Sequence, residues 1–128
     1  MAHPRRAVTR PDVLKKLRAL CLALPETSEK EAWGGPTFRV KGKMFAMYAD
    51  NHHGSGHVAV WCNADADARD TVIAADSGRF FVPPYVGVRG WLGVRLDKRI
   101  GWKRITEIVE HSYRLTAPKR LADSLDDR

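Results

Sequence analysis

With 128 residues, of which 44% are hydrophobic, the chain is long enough to bury one core without disulfide or metal staples. No run reaches the roughly 18 apolar residues of a membrane span, and no apolar stretch follows the basic residues of MAHPRRAVTRPD. These features predict a soluble protein with neither signal peptide nor membrane partner. The net charge of +7 is unevenly spread: residues 1–24 carry six Lys/Arg against one acid, residues 25–78 five against eight, and residues 79–122 ten against three. Basic ends around an acidic middle suit a polyanion partner, because clustered cations release condensed counterions on meeting phosphate, and they equally suit a solvated basic surface.

Residues 1–10 read as a loose basic arm, 11–125 as a single domain and 126–128 as a frayed tail, with no internal repeat. Pro11 at a first-turn position, with Thr9 available as cap, opens a helix. Its apolar residues Val13, Leu14, Leu17, Leu20, Cys21 and Leu24 follow the 3.6-residue period until Pro25. Residues 26–36, ETSEKEAWGGP, read as an irregular link. Thr37–Val40 and Lys43–Ala49 form a hairpin around the Lys41-Gly42 turn, and Met44, Phe45, Met47 and Tyr48 make the second strand apolar on both faces, which places it centrally. A third strand spans His57–Cys62. A helix over 65–76 follows, capped by Asn63 or Asp65, with Ala66, Val72, Ile73 and Ala75 towards the core and Gly78 as its left-handed stop.

Two more strands lie near Arg79–Val82 and Trp91–Leu96, joined by PPYVGVRG. The next helix opens at Trp102 and buries Trp102, Ile105, Ile108, Val109 and Ser112. Pro118 breaks it, and Thr116 caps a short last helix. The order predicts an α+β fold: a mainly antiparallel sheet of about five strands with helices packed on it.

The residues specify no catalytic chemistry. Cys21 and Cys62 sit in apolar runs without a basic neighbour, where a reduced thiol acts as a small hydrophobe and points to a reducing cytoplasm. There is no G-x-S-x-G elbow and no P-loop, since Gly87, Gly90 and Gly93 open no helix. The histidines of His52, His53 and His57 fall in a glycine-rich turn without the spacing that fixes ligand geometry, and His111 is accounted for by the negative end of its helix. No enzyme, metal or cofactor is therefore expected.

What remains is aromatic and basic material interleaved. Phe80, Phe81, Tyr85 and Trp91 alternate with Arg79, Arg89 and Arg95, and Lys98, Arg99, Lys103 and Arg104 follow. Strand alternation sends Phe81 and Trp91 inward and Arg89 and Arg95 outward. Guanidinium groups contact phosphate and exposed rings stack on bases.

Three ordered blocks resemble the MmcQ/YjbR family: Glu31-Ala32-Trp33-Gly34-Gly35-Pro36-Thr37-Phe38-Arg39-Val40 with Lys43-Met44-Phe45-Ala46; Pro83-Pro84-Tyr85-Val86-Gly87 through Gly90-Trp91-Leu92-Gly93-Val94; and Ser112-Tyr113-Arg114-Leu115 with Ala117-Pro118-Lys119. The resemblance spans about residues 11–121 and implies an αβ(3)αβ(2)α core, to which a short C-terminal helix is added here. It also implies the DNA-binding label that the family carries through the likeness of its fold to the double-wing domain of a phage transcription factor. It transfers no catalytic residue.

Charge, rings and resemblance together predict a non-enzymatic DNA-binding domain. The candidate contacts are Lys43, Tyr85, Arg89, Arg95, Lys98, Arg99, Lys103 and Arg104, with Trp33 or Tyr85 as a stacking surface. One alternative is a pocket for a small anionic ligand or peptide between the 33–36 and 83–90 loops, lined by Trp33, Pro36, Phe38, Lys43, Pro84, Tyr85, Arg89 and Lys119. Another is a protein-interaction module built like small secretion chaperones, which predicts a large exposed apolar patch and a dimer; the other readings fit a monomer or a homodimer.

Overall fold

The computed structural model of the chain describes residues 10–51, 56–99 and 101–127. The elements in chain order are α1 (Pro11–Leu22), β1 (Thr27–Ala32), β2 (Gly35–Val40), β3 (Lys43–Asp50), β4 (Val58–Cys62), α2 (Ala66–Ala75), β5 (Phe80–Phe81), β6 (Leu92–Arg95), α3 (Trp102–Thr116) and α4 (Lys119–Ser124). The six strands form one open sheet in the order β1-β2-β3-β4-β6-β5, with every neighbouring pair antiparallel. The α+β expectation holds, with one strand more than expected.

The extra strand is β1, in the segment expected to be an irregular link. Its sequence, TSEKEA, has no apolar alternation because it is an edge strand whose four central residues stand in solvent. Backbone pairing to β2 from Thr27↔Val40 to Ala32↔Gly35 holds it there, and its charges blunt an otherwise sticky edge. The connection is a two-residue turn, Trp33 (φ 55°) and Gly34 (φ 85°), both in the left-handed region that tight hairpins demand. Lys41 (φ 51°) and Gly42 (φ 78°) repeat the device between β2 and β3, as expected.

The helices cover one face of the sheet. Val13, Leu14, Leu17 and Cys21 of α1, Ile105, Val109 and Tyr113 of α3, and Leu121 of α4 meet Phe38, Phe45, Tyr48, Val60, Phe80 and Val94 from five strands. Fully burying each large apolar side chain contributes about 1.5–3 kcal/mol. The α3 helix is tied down by polar contacts as well. Ser112 Oγ donates to Phe45 O and accepts from Asn63 N (2.8 Å), while Tyr113 Oη donates to Pro25 O at 2.8 Å and its ring meets Phe45 edge-on at 5.5 Å. The opposite sheet face carries a second cluster, Met47, Ala49, Ala59, Trp61 and Trp91, against which Met44, Phe81 and Val86 pack. Two apolar faces explain why β3 and β4 are buried along almost their whole lengths. Phe80 and Trp91 are core residues, as expected, and Phe81 is half-buried in the second cluster.

Several local expectations are corrected. Asp65 is the cap of α2, its carboxylate accepting from Ala68 N at 2.8 Å, but Gly78 is not left-handed and the helix ends at Asp76 (φ −155°). Ala66 and Ala75 are exposed, leaving Val72 and Ile73 as the half-buried apolar residues on α2. Thr116 does not cap α4: its hydroxyl donates back to Ser112 O at 2.8 Å, a satisfied position within α3, and Pro118 takes the cap instead. The cap of α1 is Arg10, with no side-chain bond; Thr9 and the rest of the arm lie outside the described residues.

Candidate nucleic-acid interface

The antiparallel registers locate every candidate residue. The Trp33-Gly34 turn and the β3–β4 turn lie at one end of the sheet, and Lys41-Gly42 lies at the other. Since β6 runs against β4, with Leu92 opposite Cys62 and Arg95 opposite Ala59, the loop before β6 sits at the Lys41-Gly42 end and the turn after it at the Trp33 end. The α3 helix starts there and runs back, bringing Ser112 to Phe45 and Asn63.

The eight candidate contacts therefore do not form one patch. Lys43, Tyr85 and Arg89 belong to one end of the sheet, while Lys98, Arg99, Lys103 and Arg104 surround the start of α3 at the other. Arg95 shares the face of Ala59, away from the helices, and its guanidinium is occupied by Asp97 at 2.8 Å; this pairing holds the Asp97 carboxyl below its ordinary value. The residues of the alternative pocket are not brought together either. Trp33 and Pro36 stand at the end opposite Pro84, Tyr85 and Arg89, Phe38 is fully buried beneath the helices, and Lys119 pairs with Asp123 at 2.6 Å.

The loop between β5 and β6 is rigidly built. Tyr85 (φ 65°, ψ −63°) occupies a strained three-residue turn closed by Val86 N donating to Pro84 O at 2.7 Å. A 3-10 turn, Val86–Arg89, follows, and Arg69 of α2 pins it by donating to Gly87 O at 2.6 Å. Gly90 is left-handed (φ 84°), and a Cβ there would lie 2.9 Å from Ala64 O; at Gly93 a Cβ would lie 2.4 Å from the Phe81 ring. Close approach, not phosphate binding, accounts for these two glycines. The loop presents Tyr85 (70% exposed) and Val88 (93%) to solvent.

The start of α3 has a different electrostatic character. Its N-cap is Gly101, which supplies no side-chain bond, and its first turn holds Lys103 and Arg104 with no acid. Among the described residues no carboxylate pairs with Lys98, Arg99, Lys103 or Arg104, whereas several cations elsewhere are taken up, Glu26 alone holding Lys41 and Arg120. Lys16 of α1 adds to this corner by placing its ammonium 5.7 Å from the Trp102 ring. Each cation beside the positive end of a helix is disfavoured by about 0.3–1 kcal/mol, a cost that a bound anion reverses. Only the fold could reveal Lys16, since it comes from 86 positions earlier in the chain.

Neither cysteine is set up as a nucleophile. Burial pushes the Cys62 thiol up to about 12 and raises Cys21 as well, so both stay protonated as apolar filler. His52 and His53 lie outside the described residues, and His57 packs edge-on to Phe81 at 5.2 Å.

A family model described as YjbR matches residues 22–115, from the end of α1 to the end of α3. The chain belongs to the YjbR family. Protein DR2400 of Deinococcus radiodurans, whose crystal structure is described as carrying a DUF419 domain, has the same fold: the TM-score is 0.68 at 19% identity, covering 80% of this chain and 76% of that one. No curated protein matches the chain. Both basic groups lie within the span matched to the YjbR family, except Lys16. No helix among the described residues is long and apolar enough to cross a membrane.

Proposed function

We propose that this YjbR-family domain is a non-enzymatic nucleic-acid-binding module that grips duplex DNA by its phosphates at the start of α3. The observation that carries this reading is the gathering of Lys16, Lys98, Arg99 and Lys103, without carboxylate partners among the described residues, around the first turn of a 15-residue helix whose cap supplies no side-chain bond. Phosphate oxygens complement both the side-chain charge and the free backbone N–H groups of that turn. Phosphate contacts of this kind position the protein on the duplex without carrying sequence information.

Fluorescence anisotropy on a labelled duplex across a salt series tests it. Binding at low salt with log K falling linearly against log salt is expected, and the variant Lys98→Gln/Arg99→Gln/Lys103→Gln flattens the slope by about 3. An unchanged slope in that variant, or no binding at low salt, overturns the proposal.

A further inference from the structure

A cleft of about 230 Å³ separates α2 from α3; it adjoins the phosphate-binding surface proposed above, since Arg104, the neighbour of Lys103, lines it, but it has an apolar lining that surface lacks. It exists because α2 buries none of its side chains completely and so stands off its neighbour. Val72, Leu92 and Ile108 provide an apolar lining, and Ala68 is the small residue on the α2 side. Arg104 and Glu107 line the same space from α3. They stand three residues apart on a helix, a spacing at which opposite charges readily pair. They do not pair: Arg104 is drawn over the ring of Phe80, 5.3 Å from its centroid, and among the described residues neither group has an ionic partner. The other arginine of the cleft, Arg69, is already engaged by Asp70 at 2.9 Å and Gly87 O at 2.6 Å, and His111 lines the cleft one turn beyond Glu107.

A guanidinium and a carboxylate, held apart beside an apolar lining, are complementary to a ligand that carries both charges next to an apolar body. We propose that the cleft binds an apolar α-amino acid as its zwitterion. The carboxylate engages Arg104, the ammonium engages Glu107, and the side chain lies against Val72, Leu92 and Ile108. The size agrees, since a cavity of about 150 Å³ already accommodates benzene, and a leucine or phenylalanine side chain with its charged head needs only moderately more.

The test is a titration of the full chain with phenylalanine and with leucine, followed by amide chemical shifts and calorimetry. Two mimics each lacking one charge, 3-phenylpropanoate and phenethylamine, serve as comparisons. Saturable shifts at Ala68, Val72, Leu92 and Ile108 are expected for at least one amino acid, with Kd below about 1 mM. Arg104→Gln and Glu107→Gln, both at exposed positions, should each weaken that binding by about tenfold, or about 1.4 kcal/mol, and Ala68→Trp should abolish it by filling the cleft. Absence of saturable shifts overturns the assignment, as does 3-phenylpropanoate binding as tightly as phenylalanine with no effect of Glu107→Gln. The Lys98→Gln/Arg99→Gln/Lys103→Gln variant should bind the amino acid normally, so failure of DNA binding and failure of this proposal are separately visible.

Discussion

His57 illustrates how a side chain placed in a turn by its sequence acquires a chemistry from its neighbours. Burial lowers its pKa from 6.5, the Arg95 guanidinium lowers it further, and Asp97 opposes them weakly. The fold therefore favours the neutral imidazole. The resulting stability is fully present above pH 6.5, and it is lost as pH falls from that value through the lowered folded one. Urea midpoints measured from pH 7.5 to 5 should decline, and His57→Gln should remove a distinct part of that decline. An identical profile in the variant would mean that other groups carry it. The Asp97 carboxyl, held low by Arg95, contributes in a separate window, losing its share only as pH falls below its ordinary value of 3.8. The sequence identified His57 as part of a histidine-rich turn, but its contacts with Phe81 and Arg95 join residues 24 and 38 positions apart, which no local pattern encodes.

Among the elements, α3 was the most legible, because the 3.6-residue repeat of Ile105, Val109 and Ser112 records one buried face directly. A serine in that stripe looks like a weak point until its two bonds are considered. Ser112 Oγ serves a carbonyl of β3 and the N–H of Asn63 just past β4, closing the sheet end beneath the helix. Ser112→Ala leaves both backbone groups buried without this partner and should cost about 1–3 kcal/mol in urea unfolding; a loss within a few tenths would show that relaxation or water replaces the hydroxyl. The central strand β3 was equally legible from its unbroken apolar run. The edge strand β1 was not, because a strand that buries no face leaves no period-2 signal, and only the Trp33-Gly34 turn marks it. The weak helix α2 was found by its Asp65 cap, yet the cleft it leaves beside α3 depends on how far it stands from a helix about 30 residues later.

Over the whole molecule, the net charge of +7 proved less informative than the pattern of neutralisation. The acidic middle of the chain supplies Glu26 to its own Lys41 and to Arg120, and Glu29 to Arg18, so that Arg18 and Arg120 of the basic ends are already answered. Among the described residues, cations without a carboxylate partner gather at the start of α3, while Lys43 and Arg89, also without one, stand at the other end of the sheet. In the salt series, Lys43→Gln/Arg89→Gln should leave the slope within about 1 of the parent value; a fall as large as that of the α3 variant would show that the duplex spans both ends. By itself the sequence determined the α+β class, the helices, the central strands and the family, because each is written in local periodicity, caps, turns or ordered motifs. Only the tertiary structure decided which charges stay unpaired, which loops share an end of the sheet and where a cleft opens. Those properties depend on distances between residues far apart in the chain, set by strand register and helix packing.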